Sequence, residues 1–167
     1  MPEKKTIERA RRKRARGASP SSQAGEFIRE EVHHIREGKH GARSTKQAIA
    51  IGLSKARRAG VDLPPPKKGE TSERTRRAAS RARAAGRHPG RAVSAARSRA
   101  VTKTLRHEGH RSVSKKALAK QAKSAASRRS AAERSASARK AARTKGPAVR
   151  SAAARKAART RARSLSR

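Results

Sequence analysis

Large apolar side chains crowd into one short stretch of this sequence. Phe27, Ile28, Val32 and Ile35 recur at helical spacing, and Phe27 is the only aromatic residue in the chain. Ala48, Ile49, Gly52, Leu53 and Ala56 form a second, narrower apolar face with small residues in it, and Ile51 lies off that face. Between the two faces stands REGKHGARSTK, whose glycines interrupt any continuous helix. The pattern predicts helices over about 22–37 and 45–59. Ser21 or Ser22 is the expected first cap, Gly38 the first C-cap, Ser44 and Gln47 a capping box, and Gly60 the second stop. Phe27, Val32 and Ile35 would then pack on Ile49, Leu53 and Ala56 as an antiparallel hairpin. A unit of about forty residues is marginal on its own, so dimerisation through the hairpin, or folding on a partner, is the expected remedy.

Nothing comparable exists elsewhere. The chain has 48 Lys plus Arg against 11 Asp plus Glu, a formal net charge of +37, and most of its hydrophobic residues are alanine. Such a composition cannot bury enough apolar surface to order the full length alone. Residues 1–20 read as a basic N-terminal arm, eight basic residues against two acids, either contacting phosphate or simply solvated. Residues 21–63 are the hairpin, with a net charge of only +3. Residues 64–69 are a proline-stiffened linker that holds the rest away. Residues 70–167 are a basic Ala/Arg/Lys/Ser tail, with Glu70, Glu73, Glu108 and Glu133 as its only acids. Helices are predicted there at about 72–85, 91–108, 112–144 and 148–163, with weak stripes at Val93, Val101 and Leu105 and at Val113 and Leu118. Breaks are expected at 86–90, Gly109 and Gly146-Pro147. The expected fold class is all-α: a short helical hairpin plus an extended, partly disordered Ala/Arg/Lys-rich helical tail, with no large core.

A charge of this size opposes compaction until a polyanion neutralises it, which points to nucleic acid. Cations spread over many turns favour phosphate contact over base reading. With one aromatic residue there is little to stack on unpaired bases, so duplex DNA is favoured and structured RNA stays open. Arginine outnumbers lysine and suits a narrow minor groove. The nucleic-acid-binding candidates are Lys39, His40, Arg43 and Lys46 in the hinge, and Lys55, Arg57 and Arg58 at the end of the second helix. In the tail they are Arg76, Arg77, Arg81, Arg83, Lys115, Lys116, Arg128, Arg129, Arg139, Lys140, Arg155 and Lys156.

The hinge sits at a helix N-terminus, whose free N–H groups suit an anion, although the turn explains its glycines equally well. It lacks the spacing of a Walker A loop. A sharper reading sends the second helix into a major groove, with Lys46 and Gln47 leading, but no third helix accompanies it. His107 and His110 stand three apart with Gly109 between them, and no metal site is assigned to them. The carboxylates Glu26, Glu30, Glu31 and Glu37 are expected to pair with Arg29, Arg36 or the tail. No nucleophile–base pair is evident, so neither an enzyme nor a cofactor is expected. There is no cysteine and no apolar run long enough to span a membrane, and the chain reads as intracellular.

The segment from Glu26 to Gly69, with its GKHGARSTKQAIAIGLSKARR core, resembles an uncharacterised bacterial family of small basic proteins often labelled DNA-binding or histone-like. The tail is similar to that of bacterial histone H1-like proteins, although its arginine bias departs from their lysine-rich repeats. The resemblance implies a cytoplasmic, nucleoid-associated setting and brings no site residues with it. The expected function is DNA binding without sequence specificity, by phosphate neutralisation. The alternatives are an RNA- or ribosome-associated basic protein, or a structural, stress-type protein whose hairpin recruits a protein partner.

Overall fold

A computed structural model describes residues 2–88 and 94–165 of the chain. Among these residues the protein is all-α, with seven α-helices and no strand. The helices are α1 (Lys4–Ala15), α2 (Pro20–Arg36), α3 (Thr45–Arg58), α4 (Glu73–Arg87), α5 (Ala95–Arg106), α6 (Lys115–Ser127) and α7 (Ala131–Leu165), with a 3-10 turn at Arg111–Val113. They fall into two compact units, residues 1–121 and 122–167, divided within α6.

The two expected hairpin helices are present as α2 and α3. The cap of α2 is Ser19 rather than Ser21 or Ser22, and its Oγ accepts from the Ser22 N–H at 3.4 Å. Pro20 is the reason: its fixed φ suits the first helical position, where no N–H is needed. Ser44 caps α3 as anticipated, accepting from the Gln47 N–H at 3.2 Å. The Gln47 side chain returns to the Arg43 N–H at 2.7 Å, one residue before the cap. At Gly52 the two helices meet so closely that a Cβ would stand 2.7 Å from the Ile28 Cα.

The hairpin does not stand alone. α3 is the central helix, packed by α2, by α4 and by the Arg111–Val113 turn, while α1 lies on α2. One apolar cluster joins Ala10, Ala24, Phe27, Ala56 and Val61, flanked by Ile7, Leu53 and Leu63. A second joins Val32, Ile35, Ala42, Ala48 and Val113, flanked by Leu118. Burying Phe27 or Ile35 contributes roughly 1.5–3 kcal/mol each. The apolar faces of the hairpin are therefore packed by other segments of the same chain.

Three expectations about organisation change. The N-terminal arm is largely α1, seated by Thr6 and Ala10 and tied by Lys13 Nζ, 2.6 Å from Glu26 Oε1. The proline segment does not hold the following chain away. The Arg57 guanidinium donates to the Leu63 and Pro64 carbonyls at 3.1 and 3.0 Å, and α4 then packs on α3 with Ala79 and Ala82 buried. The tail, expected from residue 70 onward as one segment, contributes about its first half, to residue 121, to the first compact unit.

Beyond α4 the chain is less packed. α5 has no buried residue; the expected start of its helix at Arg91, and Val93 of its stripe, lie outside the described residues. The run predicted across 112–144 is interrupted at 128–130, where Ser130 opens α7. Its Oγ accepts from the Glu133 N–H at 3.2 Å, and Glu133 Oε2 accepts from the Ser130 N–H at 2.9 Å. The break predicted at Gly146-Pro147 is a kink with helix on both sides, Gly146 at φ 70°.

Candidate nucleic-acid interface

The hinge is built by the end of α2 and the start of α3, and it is clasped by a distant segment. The Gly41 N–H donates to the Leu105 carbonyl at 2.8 Å and the Ala42 N–H to the Gly109 carbonyl at 3.1 Å. Thr45 Oγ1 donates to the Ser112 carbonyl at 2.5 Å, and Arg36 donates twice to the Val113 carbonyl, at 3.2 and 3.0 Å. A Cβ at Gly41 would lie 1.8 Å from the Glu108 carbonyl oxygen, so the close approach requires glycine. The Gly41 and Ala42 N–H groups that an anion at this turn would need are thus already satisfied by backbone carbonyls. Val113, with no exposed surface, is the apolar pin of the clasp.

This clasp divides the candidate cations. Arg43, Lys46 and Arg58 are exposed, and Lys39 is exposed beside Glu37 at 3.0 Å, which raises its pKa. His40 turns inward: its Nδ1 lies 3.1 Å from the Gly41 carbonyl and its Nε2 3.4 Å from Glu31 Oε1. Lys55 and Arg57 do not face solvent as the major-groove reading needs. Lys55 Nζ stands 2.7 Å from Glu31 Oε2 and 3.5 Å from Glu30 Oε1. Arg57 is buried, which lowers its pKa. α3 is enclosed by α2, α4 and the Arg111–Val113 turn.

The carboxylates of α2 also find other partners than those expected. Glu26 pairs with Lys13 of α1, with Arg29 only at 4.0 Å; the Lys13 hydrogen bond holds its carboxyl below the ordinary value. Glu30 and Glu31 pair with Lys55 of α3, and Glu30 Oε2 also accepts from the Glu3 N–H at 3.1 Å. Arg36 is used by the clasp instead.

On α4, Arg76 is held by Glu73 and Arg83 by Asp62, at 2.9 and 2.6 Å. Hydrogen bonds from Arg76 and Arg83 lower the pKa of Glu73 and Asp62 respectively. Arg77 and Arg81 are exposed. On α6 and α7, Lys115, Lys116, Arg128, Arg129, Arg139, Lys140, Arg155 and Lys156 are all exposed. The structure adds cations of the same character that the candidate set omitted: Arg97, Arg99, Lys103 and Arg106 on α5, and Arg134, Arg143, Arg150 and Arg159 on α7. Their signal was the same, basic residues recurring at helical spacing.

From 122 to 165 the chain carries fourteen lysines and arginines, every one exposed, against Glu133 as the sole acid. Their positions run round the helix: Arg139 and Arg143, four apart, share one side, while Lys140 and Lys145 lie on others at 3.6 residues per turn. Such an array offers charge in every direction and no single reading face.

Residues 3–68 match a family of unknown function, DUF6496. The matched span contains α1, α2, α3 and the hinge; α4 and the clasping segment lie outside it. No curated protein and no solved structure matches the chain. No described helix is long and apolar enough to cross a membrane.

Proposed function

We propose that this protein binds duplex DNA without sequence specificity, in the manner of a histone H1-like, nucleoid-associated protein. The observation that carries the reading is the array of residues 122–165, fourteen exposed cations distributed round helices with one acid among them. Each cation that meets a phosphate releases condensed counterions, so affinity is high at low salt and falls steeply as salt rises. Arginine and lysine on all sides of a helix suit bridging between two duplexes. Away from phosphate, the same charges repel along the helix, and contact relieves that repulsion. The setting this reading implies is the bacterial nucleoid.

The test is a salt series with a random-sequence duplex and structured RNA as competitor. The full chain is compared with one ending at Ser130. A cut at the proline segment would remove α4 and Val113 from the core and confound the result. The expected log–log slope of the shortened chain is shallower by roughly 0.9 for each phosphate that α7 would have neutralised. Equal slopes for the two chains would refute the assignment to α7. Stronger competition by RNA than by unlabelled duplex would transfer the reading to an RNA-associated protein.

A further inference from the structure

We propose that Glu31, His34 and His40 form a binding site for a divalent transition metal of the zinc class. One ligand atom from each residue lies within 4.8 Å of the other two. Glu31 and His34 are one turn apart on α2, and the turn after α2 brings His40 back to them.

Glu31 is the decisive group. Its side chain has no exposed surface, and neither carboxylate oxygen has an aligned hydrogen-bond donor. Lys55 Nζ approaches Oε2 at 2.7 Å, off hydrogen-bond alignment, and is shared with Glu30. Two buried carboxylates thus share one ammonium, and no donor reaches Glu31 Oε1 in hydrogen-bond geometry. A buried carboxylate oxygen without a partner is costly, so the site suits a cation there.

His40 faces that oxygen as a metal ligand would. Its Nδ1 lies 3.1 Å from the Gly41 carbonyl, which only accepts, so Nδ1 carries the proton. Nε2 is then the ring atom left to face Glu31 Oε1, at 3.4 Å. That separation is close to the ~3.3 Å between two ligands of a tetrahedral zinc with bonds of about 2.0 Å. His34 completes the triangle, its ring edge-on to His40 with centroids 6.3 Å apart. Glu3 Oε1 sits 2.9 Å from His34 Nε2 and orients that ring, as outer carboxylates do for metal-bound histidines. One carboxylate and two imidazoles form a mixed N/O set suited to zinc, cobalt or nickel rather than to calcium or magnesium. A metal here would pin the hinge to α2 one residue before Gly41 enters the clasp.

The experiment uses the untagged full-length chain stripped with chelator, titrated with Zn2+ by calorimetry and with Co2+ by visible absorbance. One equivalent should bind, with the strong visible bands of tetrahedral cobalt. His34→Ala and His40→Ala should each weaken binding by more than tenfold, while His107→Ala with His110→Ala leaves it unchanged. Glu3→Gln should weaken it by about tenfold, as removal of an outer carboxylate does. Absence of a one-equivalent site in the unaltered chain overturns the proposal, as does a site that persists in His40→Ala or follows His107 and His110. Should His40→Ala fail to fold, the cobalt spectrum of the unaltered chain decides: tetrahedral bands at one equivalent support the site, and their absence overturns it.

Discussion

The charges of α1–α4 and those of α7 obey different rules. In the first region most cations near the core have assigned partners: Lys13 with Glu26, Lys55 with Glu30 and Glu31, Arg57 with two carbonyls, Arg83 with Asp62. In the second, eleven cations share one acid and all are exposed. Both regions are rich in arginine and lysine, yet in one these residues complete a fold and in the other they face solvent, where a polyanion can reach them. Basic composition therefore does not tell which cations face solvent; the local supply of carboxylates and carbonyls does.

Substitutions can set the two regions against each other. Phe27→Ala should have the largest effect, about 3–5 kcal/mol, enough to unfold a core this small. Chemical denaturation would measure it, and duplex affinity should stay within about threefold if α7 carries the phosphate contacts. A comparable loss of affinity would show that the folded region, not α7, is the binder. Gly41→Val comes next, because its side chain would collide with the Glu108 carbonyl; overpacking of this kind costs about 1–3 kcal/mol. Hydrogen exchange should show the Gly41 and Ala42 amides losing protection before those of α1.

Lys13→Ala should cost about 1–3 kcal/mol by leaving the buried Glu26 carboxylate poorly paired. The same pair sets a pH dependence. The Glu26 pKa is below its ordinary value of 4.5, so its contribution is complete above that pH and is lost as pH falls through the folded-state value. Glu3, Asp62 and Glu73 are shifted in the same direction, so stability should fall in acid below about pH 4.5, and Lys13→Ala should flatten that fall. Thermal melts between pH 3 and 7 would show it. The smallest effect belongs to Arg76→Ala on the surface of α4, with a melting temperature close to that of the unaltered chain, because its pair with Glu73 is solvent-screened. A larger loss would mean that α4 is held to α3 by more than Ala79, Ala82 and the Arg83–Asp62 pair.

The sequence disclosed whatever was encoded locally. The 3.6-residue recurrence of Phe27, Val32 and Ile35 and the Ser44 cap located α2 and α3 closely, and Gly146-Pro147 marked its kink. What it concealed was tertiary. Val113 lies in a weak stripe of a basic run, as Val101 does, and that pattern does not tell the buried valine from the exposed one. Lys55 and Arg57 look like groove-facing cations until α4 and Glu31 are placed around them. The EVHHIREGKH run held the histidines that meet Glu31, but the turn that folds His40 back is a matter of three-dimensional path, not of spacing.

The clasp has a consequence during synthesis. Its bonds join residues 36–45 to residues 105–113. A ribosome adding about 5–20 residues per second finishes residue 113 roughly 2–9 seconds after residue 68. Through that interval Val32, Ile35 and Ala48 lack their Val113 cover while an Arg-rich nascent segment emerges beside ribosomal RNA. The hinge cannot close until the last residue of the clasp has left the exit tunnel, so the rate of translation through residues 69–113 sets how long the unfinished core is exposed.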